Sequence, residues 1–391
     1  MKVLFISPSF YPATYYGGPI HINYAFCNSL AKTKCVQLSV LTTDANGPRS
    51  RVALNDFPAT AGDAYEVFYC RRAFGPDISP GLLFRLFGMI RRADIVHLNG
   101  VYSFTTLPTL FLCRVLQKPV VWSPLGALQR WPGTTRGPAK RLWERTCNWL
   151  CAPDRVLLHV TSEEEKAESP SRISNASAVV IRNGIEAPSP GGRKSFRHGG
   201  GLRLLYLGRL HPIKAIENLL HAMTLVKTST QLSICGEGEN DYQERLQSLV
   251  SDLNLNDRVH FHGHVDGAAK EQQFLDADLC IVPSFLESFC TVVVESLARG
   301  VPVIASRGTP WKRIEEMNCG LWVANEPQDL ARAIDEAARM SLGDMGLRGK
   351  EWMQTEYSWA GVVEEMIQQY QKLIETSELR RRRTARQTQA A

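Results

Sequence analysis

The most informative segment of this chain is Pro283-Ser-Phe-Leu-Glu287-Ser-Phe-Cys-Thr-Val-Val-Val-Glu295-Ser-Leu-Ala-Arg-Gly300-Val-Pro-Val-Ile-Ala-Ser306. Residues 279–283 predict the end of a buried strand, and a short helix follows that Gly300 and Pro302 terminate. Residues 301–305 predict a second buried strand. This order of elements forms a βαβ crossover, and such parallel sheets bind ligands at the carboxyl ends of their strands.

Two carboxylates within this crossover are candidates for chemistry. Glu287 is predicted at the end of the first strand, and Glu295 about two turns further along the helix. The backbone N–H groups of Phe289, Cys290 and Thr291, at the helix start, suit an anion. The alternative is a solvated Glu287 and a Glu295 on the surface of a helix.

The rest of the chain repeats this alternation of strand and helix. It predicts an α/β fold class with two Rossmann-like, doubly wound parallel-sheet domains and a cleft between them. The predicted parts are an N-terminal domain (1–186), a linker rich in Pro, Gly and basic residues (187–201) and a C-terminal domain (202–358). An amphipathic helix (359–378) and a basic, disordered tail (379–391) follow.

Composition is that of a soluble globular protein. The chain has 391 residues, 44% hydrophobic and 21% charged. No apolar run approaches the ~20 residues of a membrane helix, and the N-terminus is predicted to be a strand rather than a signal peptide. The ten cysteines lack zinc-ligand spacing and predict reduced thiols in a cytosolic enzyme.

Charge is distributed unevenly along the chain. Residues 1–153 carry a net charge of +10, residues 154–379 carry −9, and the tail adds five arginines. A basic first domain fits an enzyme that faces an anionic membrane or an anionic acceptor. Ordinary solvation of two surfaces explains the same asymmetry.

A second motif, Gly208-Arg209-Leu-His-Pro-Ile-Lys214, follows the predicted strand 203–207. A glycine allows a tight turn close to a ligand. Arg209 offers a planar fork that matches phosphate oxygens, and Lys214 offers a point charge. Surface charges flanking a strand are the alternative.

These two motifs together resemble those of family-4 retaining glycosyltransferases, which have the GT-B fold and use nucleotide sugars. The resemblance implies that Glu287 contacts the donor sugar and that Glu295 binds the nucleotide ribose. It also implies that Arg209 and Lys214 stabilise the leaving diphosphate, whose charge grows as the bond to the sugar breaks. Ala215 stands where the family often has glycine.

The resemblance extends to other parts of the donor site. Gly236 belongs to a Gly-x-Gly turn that alone is a weak nucleotide signal, and Gly17-Gly18 resembles a glycine loop, although a plain turn is an alternative. The full set of expected donor-binding residues is Glu295, Ser288, Phe289, Cys290, Thr291, Gly208, Gly236, His264, Val265, Gly17 and Gly18.

No cofactor and no metal are expected, since the predicted cations and helix dipole replace a divalent ion. The run Val259-His-Phe-His-Gly-His264 leaves a metal site open as an alternative. Period two would place its histidines and Asp266 on one face only if the chain stays extended past Gly263. Asp276 and Asp278 are interpreted as a corner between a helix and a strand.

In the first domain, five residues at or after the ends of two successive strands are expected in the mouth of the cleft, towards the acceptor. They are His97, Asn99, Ser123, Leu125 and Gly126. Many relatives in the family have His at the position of Leu125, where it contacts the donor sugar. Leucine at this position removes that polar contact, which is expected across the cleft from Glu287.

Two basic segments have open interpretations. Trp131, Trp143 and Trp149 with neighbouring Lys and Arg suit a bilayer interface or a sugar acceptor, or they pack into the domain. The arginines 380–383 suit anionic lipid or plain solvation. The resemblance implies that helix 359–378 crosses back to the first domain.

The predicted function is a retaining glycosyltransferase that moves a sugar from a UDP- or GDP-sugar to a hydroxyl of a glycan or lipid-linked acceptor. Surface polysaccharide or glycolipid biosynthesis is the expected setting. The expected location is the cytoplasm, with peripheral contact to the inner face of an anionic membrane left open, and no nucleic acid partner. Alternatives are a sugar-nucleotide epimerase, a phosphorylase or a non-catalytic glycan-binding homologue.

Overall fold

The computed structural model describes residues 1–15, 17–52, 64–130, 137–186 and 201–390, with side chains through Arg382. The predicted linker lies outside these residues except for Gly201, and so does Trp131. The chain divides into two compact units. Unit 1 holds the described residues up to Gly184 together with the helix from Trp359, and unit 2 holds Ile185–Ser358.

Unit 1 is built on a parallel sheet of order β5-β2-β1-β6-β7-β8-β9, beside a small antiparallel pair, β3 and β4. The strands are β1 Lys2–Ile6, β2 Gln37–Thr43, β3 Ala45–Asn46, β4 Ser50–Arg51, β5 Glu66–Cys70, β6 Ile95–Asn99, β7 Val120–Ser123, β8 Val156–Val160 and β9 Ser177–Val180. The helices are α1 Gly18–Lys32, α2 Pro80–Arg92, α3 Thr106–Val115, α4 Pro138–Leu150, α5 Glu163–Glu168 and α13 Trp359–Ala390, with a 3₁₀ turn at Ser169–Ser171.

Both faces of this sheet are covered by helices, which explains why its strands are almost continuously apolar. Helices α2, α3 and α4 pack on one face, and α1 and α13 pack on the other. Helix α13 buries Val363, Met366 and Tyr370 against α1 and the sheet, so the C-terminal segment completes the core of unit 1.

Helix α13 is longer than the sequence predicts. It continues through Ala390, across the segment expected to be a disordered tail. Arg380 donates hydrogen bonds to Pro153 O (2.7 Å) and Asp154 Oδ2 (2.5 Å), and Ser377 is buried. These contacts, with the good helix propensity of Arg and Leu, explain why the helix does not end at residue 378.

Unit 2 repeats the architecture with a parallel sheet of order β12-β11-β10-β13-β14-β15. Its strands are β10 Leu202–Leu207, β11 Thr230–Cys235, β12 Val259–Gly263, β13 Leu279–Val282, β14 Val303–Ser306 and β15 Gly320–Val323. Its helices are α6 Ile216–Leu225, α7 Asn240–Asp252, α8 Gly267–Asp276, α9 Thr291–Ala298, α10 Arg313–Glu316, α11 Pro327–Ala337 and α12 Leu342–Glu356, with a 3₁₀ turn at Pro212–Lys214. Two apolar cores lie on its two faces.

The crossover predicted from residues 283–306 is present as β13, α9 and β14, whose strands pair in parallel. Helix α9 buries Val292, Val293 and Leu297. It ends at Ala298, and Gly300, just past its C-cap, has a φ of 71° that favours glycine. The predicted fold class, two doubly wound α/β domains, is confirmed. Among the described residues, no helix is both long and apolar enough to span a bilayer.

Candidate active site

The candidate site of unit 2 lies where the strand order reverses. The chain proceeds from β10 outward through β11 to β12, then returns to β13 on the other side of β10 and continues to β15. Loops leaving adjacent strands in opposite directions open a crevice at their carboxyl ends, which is the usual ligand site of such sheets. Arg209 and Lys214 follow β10, and Glu287 follows β13.

An ion pair joins these two loops. Lys214 Nζ lies 2.5 Å from Glu287 Oε1, and both side chains are mostly buried, with 22% and 12% exposed. Ser284 Oγ donates to the same carboxylate oxygen at 2.7 Å. Backbone bonds fix the loops further, from Phe285 N–H to Ile213 O (2.8 Å) and from Glu287 N–H to Gly308 O (2.9 Å). The carboxylate therefore has a fixed position before any ligand binds.

The charges around this pair keep Lys214 protonated. Burial alone would lower its pKa, but Glu287, a nearby thiol and the hydrogen bond outweigh burial, and the Lys214 pKa is raised. Burial, with a smaller contribution from Glu287, also raises the pKa of the Tyr206 phenol, whose hydroxyl donates to Arg209 O (3.1 Å). The site thus holds a permanent cation beside its carboxylate.

Arg209 and His211 stand on the same loop. The Arg209 side chain is exposed, and no ion pair is recorded for it among the described residues. Burial, Arg209 and Lys214 lower the pKa of His211, so this imidazole is neutral at pH 7 and its Nδ1 accepts from Ile213 N–H at 3.2 Å. Arg209 is therefore more accessible to an incoming anion than Lys214 is.

Two glycine turns hold the Arg209 loop in place. A Cβ on Gly236 would lie 1.9 Å from Gly208 O, and a Cβ on Gly238 would lie 2.2 Å from Leu210 O. Leu210 N–H donates to Glu237 O at 2.8 Å across this contact. The Gly-x-Gly turn after β11 therefore packs the loops after β10 and β11 against one another, a role that needs no nucleotide.

Helix α9 begins directly after a residue in the left-handed conformation, and an aromatic cluster packs against its start. Cys290 is the N-cap and has a left-handed φ of 65°, and Thr291 is the first helical residue. Trp311 Nε1 donates to Phe289 O, and the two rings pack edge to face with centroids 5.5 Å apart. Ser288 lies half-buried in the loop before them. The backbone N–H groups expected to face an anion are thus held by an aromatic cluster.

Glu295 lies on α9 as predicted, and it is paired. Lys270 Nζ of α8 lies 2.7 Å from Glu295 Oε1, with side chains 26% and 21% exposed. The neighbouring Arg299 pairs with Glu271 and donates to Glu295 O at 3.0 Å. A ribose at Glu295 would therefore meet a carboxylate that Lys270 already orients.

The alternative of a histidine metal site is not supported by the geometry. Strand β12 ends at Gly263, whose φ of 67° breaks the extended chain, so His264 and Asp266 leave the strand. The side chains of His264 and Asp266 are largely exposed and 3.9 Å apart. Over the described residues, no three His, Cys, Asp or Glu side chains converge into a metal-binding group. Val265 is half-buried against the core beside α9.

Asp278, which the sequence places at a corner, has a structural role. Its carboxylate accepts from Arg203 Nη2 (2.7 Å), Arg203 Nε (3.0 Å) and Arg203 N–H (3.0 Å), and it is buried. Helix α8 ends at Asp276, so the pair joins the start of β10 to the start of β13. This confirms the interpretation as a corner.

In unit 1, His97 and Ser123 do not lie in an open position. His97 is 2% exposed within β6, where Nδ1 hydrogen-bonds with Tyr370 of α13 (2.5 Å) and Nε2 with Ser123 Oγ (2.7 Å). Ser123 Oγ contacts His159 Nδ1 at 2.7 Å, and His159 Nε2 contacts Ile181 O at 3.0 Å. His97 and Ser123 therefore belong to a buried polar chain that ties α13 to the sheet.

Burial keeps both imidazoles of this chain neutral. It lowers the His159 pKa to about 4, against the opposing effect of the hydrogen bond that His159 donates to Ile181 O. Burial together with His159 lowers the pKa of His97. Asn99 is also buried at the end of β6, and its Nδ2 has no hydrogen-bond partner in the described part of the chain.

Leu125 and Gly126 form the turn after β7. Both have positive φ, 55° and 78°, and both are half-buried. Gly126 N–H donates to Glu165 Oε1 at 2.7 Å, and Thr161 N–H donates to Glu165 Oε2 at 3.0 Å. Burial raises the pKa of this fully buried carboxyl. Glu165 therefore fixes the turn that carries Leu125.

Gly17 and Gly18 open α1. Gly17 has φ 63° and ψ −125°, is the N-cap, and accepts from Ile20 N–H at 3.0 Å. A Cβ on Gly17 would meet no atom within 4 Å, so conformation rather than space requires glycine there. The start of a 15-residue helix suits an anion. The role of Gly17 and Gly18 in donor binding stays a prediction.

Three residues of the unit 2 site were not predicted. Ser284 and Lys270 contact the two glutamates directly, and a Cβ on Gly308 would lie 2.3 Å from Phe285 O. Ser284 could have been found from its place beside Glu287 in the quoted stretch. Lys270 and Gly308 had no local signal, because their partners are distant along the chain.

Parts of this chain are similar in sequence to known glycosyltransferases. Residues 193–348 match the family model of glycosyl transferases group 1. The chain is 31% identical over 182 residues to an uncharacterised glycosyltransferase of Methanocaldococcus jannaschii, covering 44% of this chain and 45% of that protein. It is 26% identical over 253 residues to the D-inositol 3-phosphate glycosyltransferase of Mycobacterium marinum, covering 61% and 54%. The chain thus spans about half the length of these curated relatives.

Solved structures resemble nearly the whole chain. HepE of Anabaena, solved with UDP, superposes with a TM-score of 0.70 at 17% identity, covering 94% of this chain and 99% of that one. Sucrose-phosphate synthase of Thermosynechococcus elongatus gives 0.71 at 20% identity, covering 96% and 99%. The chain therefore has the GT-B fold, and its residues 193–348 are similar to glycosyl transferases group 1.

Proposed function

We propose that this protein is a retaining glycosyltransferase that transfers a sugar from a nucleoside diphosphate sugar to a hydroxyl of a glycan or lipid-linked acceptor. The observation that carries the proposal is the Lys214–Glu287 ion pair beside the exposed Arg209, at the point where the strand order of unit 2 reverses. This arrangement places a carboxylate and two cations on adjacent loops.

The cations would act on the leaving group. An ammonium has three N–H donors, and Glu287 engages Lys214 through a single oxygen, which leaves donors for a phosphate oxygen. Arg209 would hold a second oxygen with its planar fork. Both charges are in place before the sugar–phosphate bond breaks, so they stabilise the transition state without reorganisation.

Glu287 would act at the sugar. Its carboxylate is fixed by Lys214 and Ser284, and its negative charge would stabilise positive charge that develops at the anomeric carbon. The acceptor hydroxyl oxygen forms the new bond on the face from which the diphosphate departs. Its proton passes to the departing phosphate oxygen, so configuration is retained and no protein base is required.

Donor class follows from the same site. Glu295, oriented by Lys270, would accept a ribose hydroxyl, and the start of α9 would face the diphosphate. UDP- and GDP-sugars are the donors to test. The structure of HepE with UDP-glucose supports a uridine donor by likeness of fold. With two cations at the diphosphate, we expect no requirement for a divalent metal or other cofactor.

The test is a panel of UDP- and GDP-sugars with candidate glycan and lipid-linked acceptors. Released nucleoside diphosphate is measured with and without EDTA, and the anomeric configuration of the product is read by NMR. We expect acceptor-dependent release from one donor class, retained configuration and no effect of EDTA. Isomerised nucleotide sugar, or phosphate-dependent release of a sugar phosphate, would replace the proposal with an epimerase or a phosphorylase.

A further inference from the structure

Three neighbouring helices cover one face of the unit 1 sheet. Helices α2 and α3 lie side by side, as do α3 and α4. Their inner sides enter a single apolar core, through the buried residues Leu82, Leu86, Ile90, Leu110, Cys113, Cys147 and Leu150. The outward sides of these helices are therefore well defined and form one continuous layer.

Large apolar side chains project from these outward sides. Phe84 is 89% exposed and Phe87 48% on α2, Phe111 is 51% exposed on α3, and Leu142 and Trp149 are 66% and 63% exposed on α4. Residues 84 and 87, and residues 142, 145 and 149, share a helix face by their spacing. Exposed aromatic groups on adjacent helices form a patch of the kind that marks an interaction surface.

The same sides are basic. Exposed cations stand beside the apolar groups, namely Arg85, Arg91, Arg92, Arg114, Lys140, Arg141 and Arg145. The three helices contain a single carboxylate, Glu144, and it is buried with Arg172 Nη1 3.7 Å from its Oε1. The Arg114 guanidinium lies 5.3 Å from the centre of the Trp149 ring. We name these outward sides of α2, α3 and α4 the basic–aromatic face.

We propose that the basic–aromatic face docks unit 1 on an anionic lipid bilayer. Aromatic and aliphatic tips would enter the interfacial layer, while the Arg and Lys side chains interleaved with them would meet lipid phosphates. Charge complementarity selects this partner, because the face presents cations without an exposed carboxylate on its helices. The proposal goes beyond the transferase activity, since it assigns a surface that no sugar or nucleotide contact requires.

The experiment is co-sedimentation of the full chain with vesicles of phosphatidylcholine, alone or with phosphatidylglycerol. Two double variants test the two components of the face, Phe84→Ser with Leu142→Ser and Arg91→Glu with Arg145→Glu. Matched controls in unit 2 are Leu225→Ser with Leu347→Ser, which are 46% and 68% exposed, and Arg339→Glu with Lys350→Glu. Circular dichroism and thermal unfolding check that each variant is folded.

We expect the wild-type chain and both controls to bind vesicles that contain phosphatidylglycerol and to bind phosphatidylcholine alone much more weakly. Each variant of the face should lower the partition coefficient by at least about tenfold. The arginine variant should do so because each basic residue at such a surface typically changes binding several-fold, and the apolar variant because it removes two large side chains that would enter the interfacial layer. Equal binding by the face variants and the controls would overturn the proposal. Failure of the wild-type chain to bind the vesicles would overturn it as well. So would a wild-type chain that self-associates, if Phe84→Ser with Leu142→Ser abolished that self-association and left vesicle binding unchanged.

Discussion

Two polar clusters of this protein look alike in sequence and differ in structure. In unit 2, Lys214 and Glu287 follow their strands and meet beside an exposed arginine. In unit 1, His97 and Ser123 lie within their strands and are enclosed between the sheet and α13. The first cluster carries charge towards solvent, whereas the second is neutral and closed.

The difference shows that the distance of a residue past the end of its strand decides whether it can meet a ligand. A side chain inside a doubly covered parallel sheet points into a core, whichever face it takes. A side chain on the following loop lies at the edge where ligands bind. The two clusters should therefore respond to substitution in opposite ways.

The largest expected effect is on turnover in unit 2. Arg209→Ala or Glu287→Ala should lower kcat by about 100- to 1,000-fold, because each removes a charge positioned for the transition state. Diphosphate release at saturating donor measures this loss. Thermal unfolding should change little for Arg209→Ala, since this side chain is exposed.

The matched control is Arg245→Ala, which removes an exposed arginine paired with Glu217 on the same unit. It should leave kcat within about twofold, as surface pairs contribute little. Near-normal turnover in both Arg209→Ala and Glu287→Ala would show that this cluster of unit 2 does not take part in the reaction. The contrast between the two clusters would then no longer hold.

Much of the fold could be predicted because apolar strands and glycine stops are local signals. The crossover of residues 283–306 is an example, where Gly300 and Pro302 end α9 before β14. Glu287 and Lys214 could be placed for the same reason, since each lies in the segment that follows a strand. The extent of α13 could not, because it depends on the contact between Arg380 and Asp154, which are far apart in sequence.

The burial of His97 was not predictable from its own segment. It depends on Tyr370 of the last helix and on His159 of a strand two places further across the sheet. Lys270 was missed for a similar reason, as it reaches Glu295 from the preceding helix. Sequence patterns located the ends of strands, whereas partners brought together by tertiary packing had no local signature.

A substitution of Gly236 should affect the positioning of the unit 2 loops. Gly236→Ala places a Cβ against Gly208 O at a φ of 142°, so we expect a loss of about 2 kcal/mol in unfolding free energy and a lower kcat. Chemical denaturation and turnover measure the two effects. Gly88→Ala is the control, because Gly88 is an exposed position of α2 where a Cβ would meet no atom within 4 Å. A stable, fully active Gly236→Ala would show that the loops need not be in contact.

Stability should depend on pH through the unit 1 cluster. The folded His159 pKa of about 4 lies below its unfolded value near 6.5, so its stabilisation is complete above pH 6.5 and declines towards pH 4. We expect a loss of about 2 kcal/mol between pH 7.5 and 5 from this residue, measured by denaturant titration. His159→Gln should flatten that slope and leave kcat at pH 7.5 unchanged. An unchanged slope would show that the cluster is not closed to protons.

The smallest expected effect concerns the orientation of Glu295. The Lys270–Glu295 pair is about a quarter exposed, so its removal should cost less than about 1 kcal/mol of stability. If Glu295 binds the ribose, Lys270→Ala should raise the KM for the donor by about two- to fivefold and leave kcat nearly unchanged, because the ribose is held equally in the ground state and the transition state. Steady-state kinetics over donor concentration measures the split, with Arg245→Ala again as the control. A kcat that falls as far as in Glu287→Ala would instead make Lys270 part of the cluster that acts on the leaving group, and the contrast between positioning and chemistry within unit 2 would be lost.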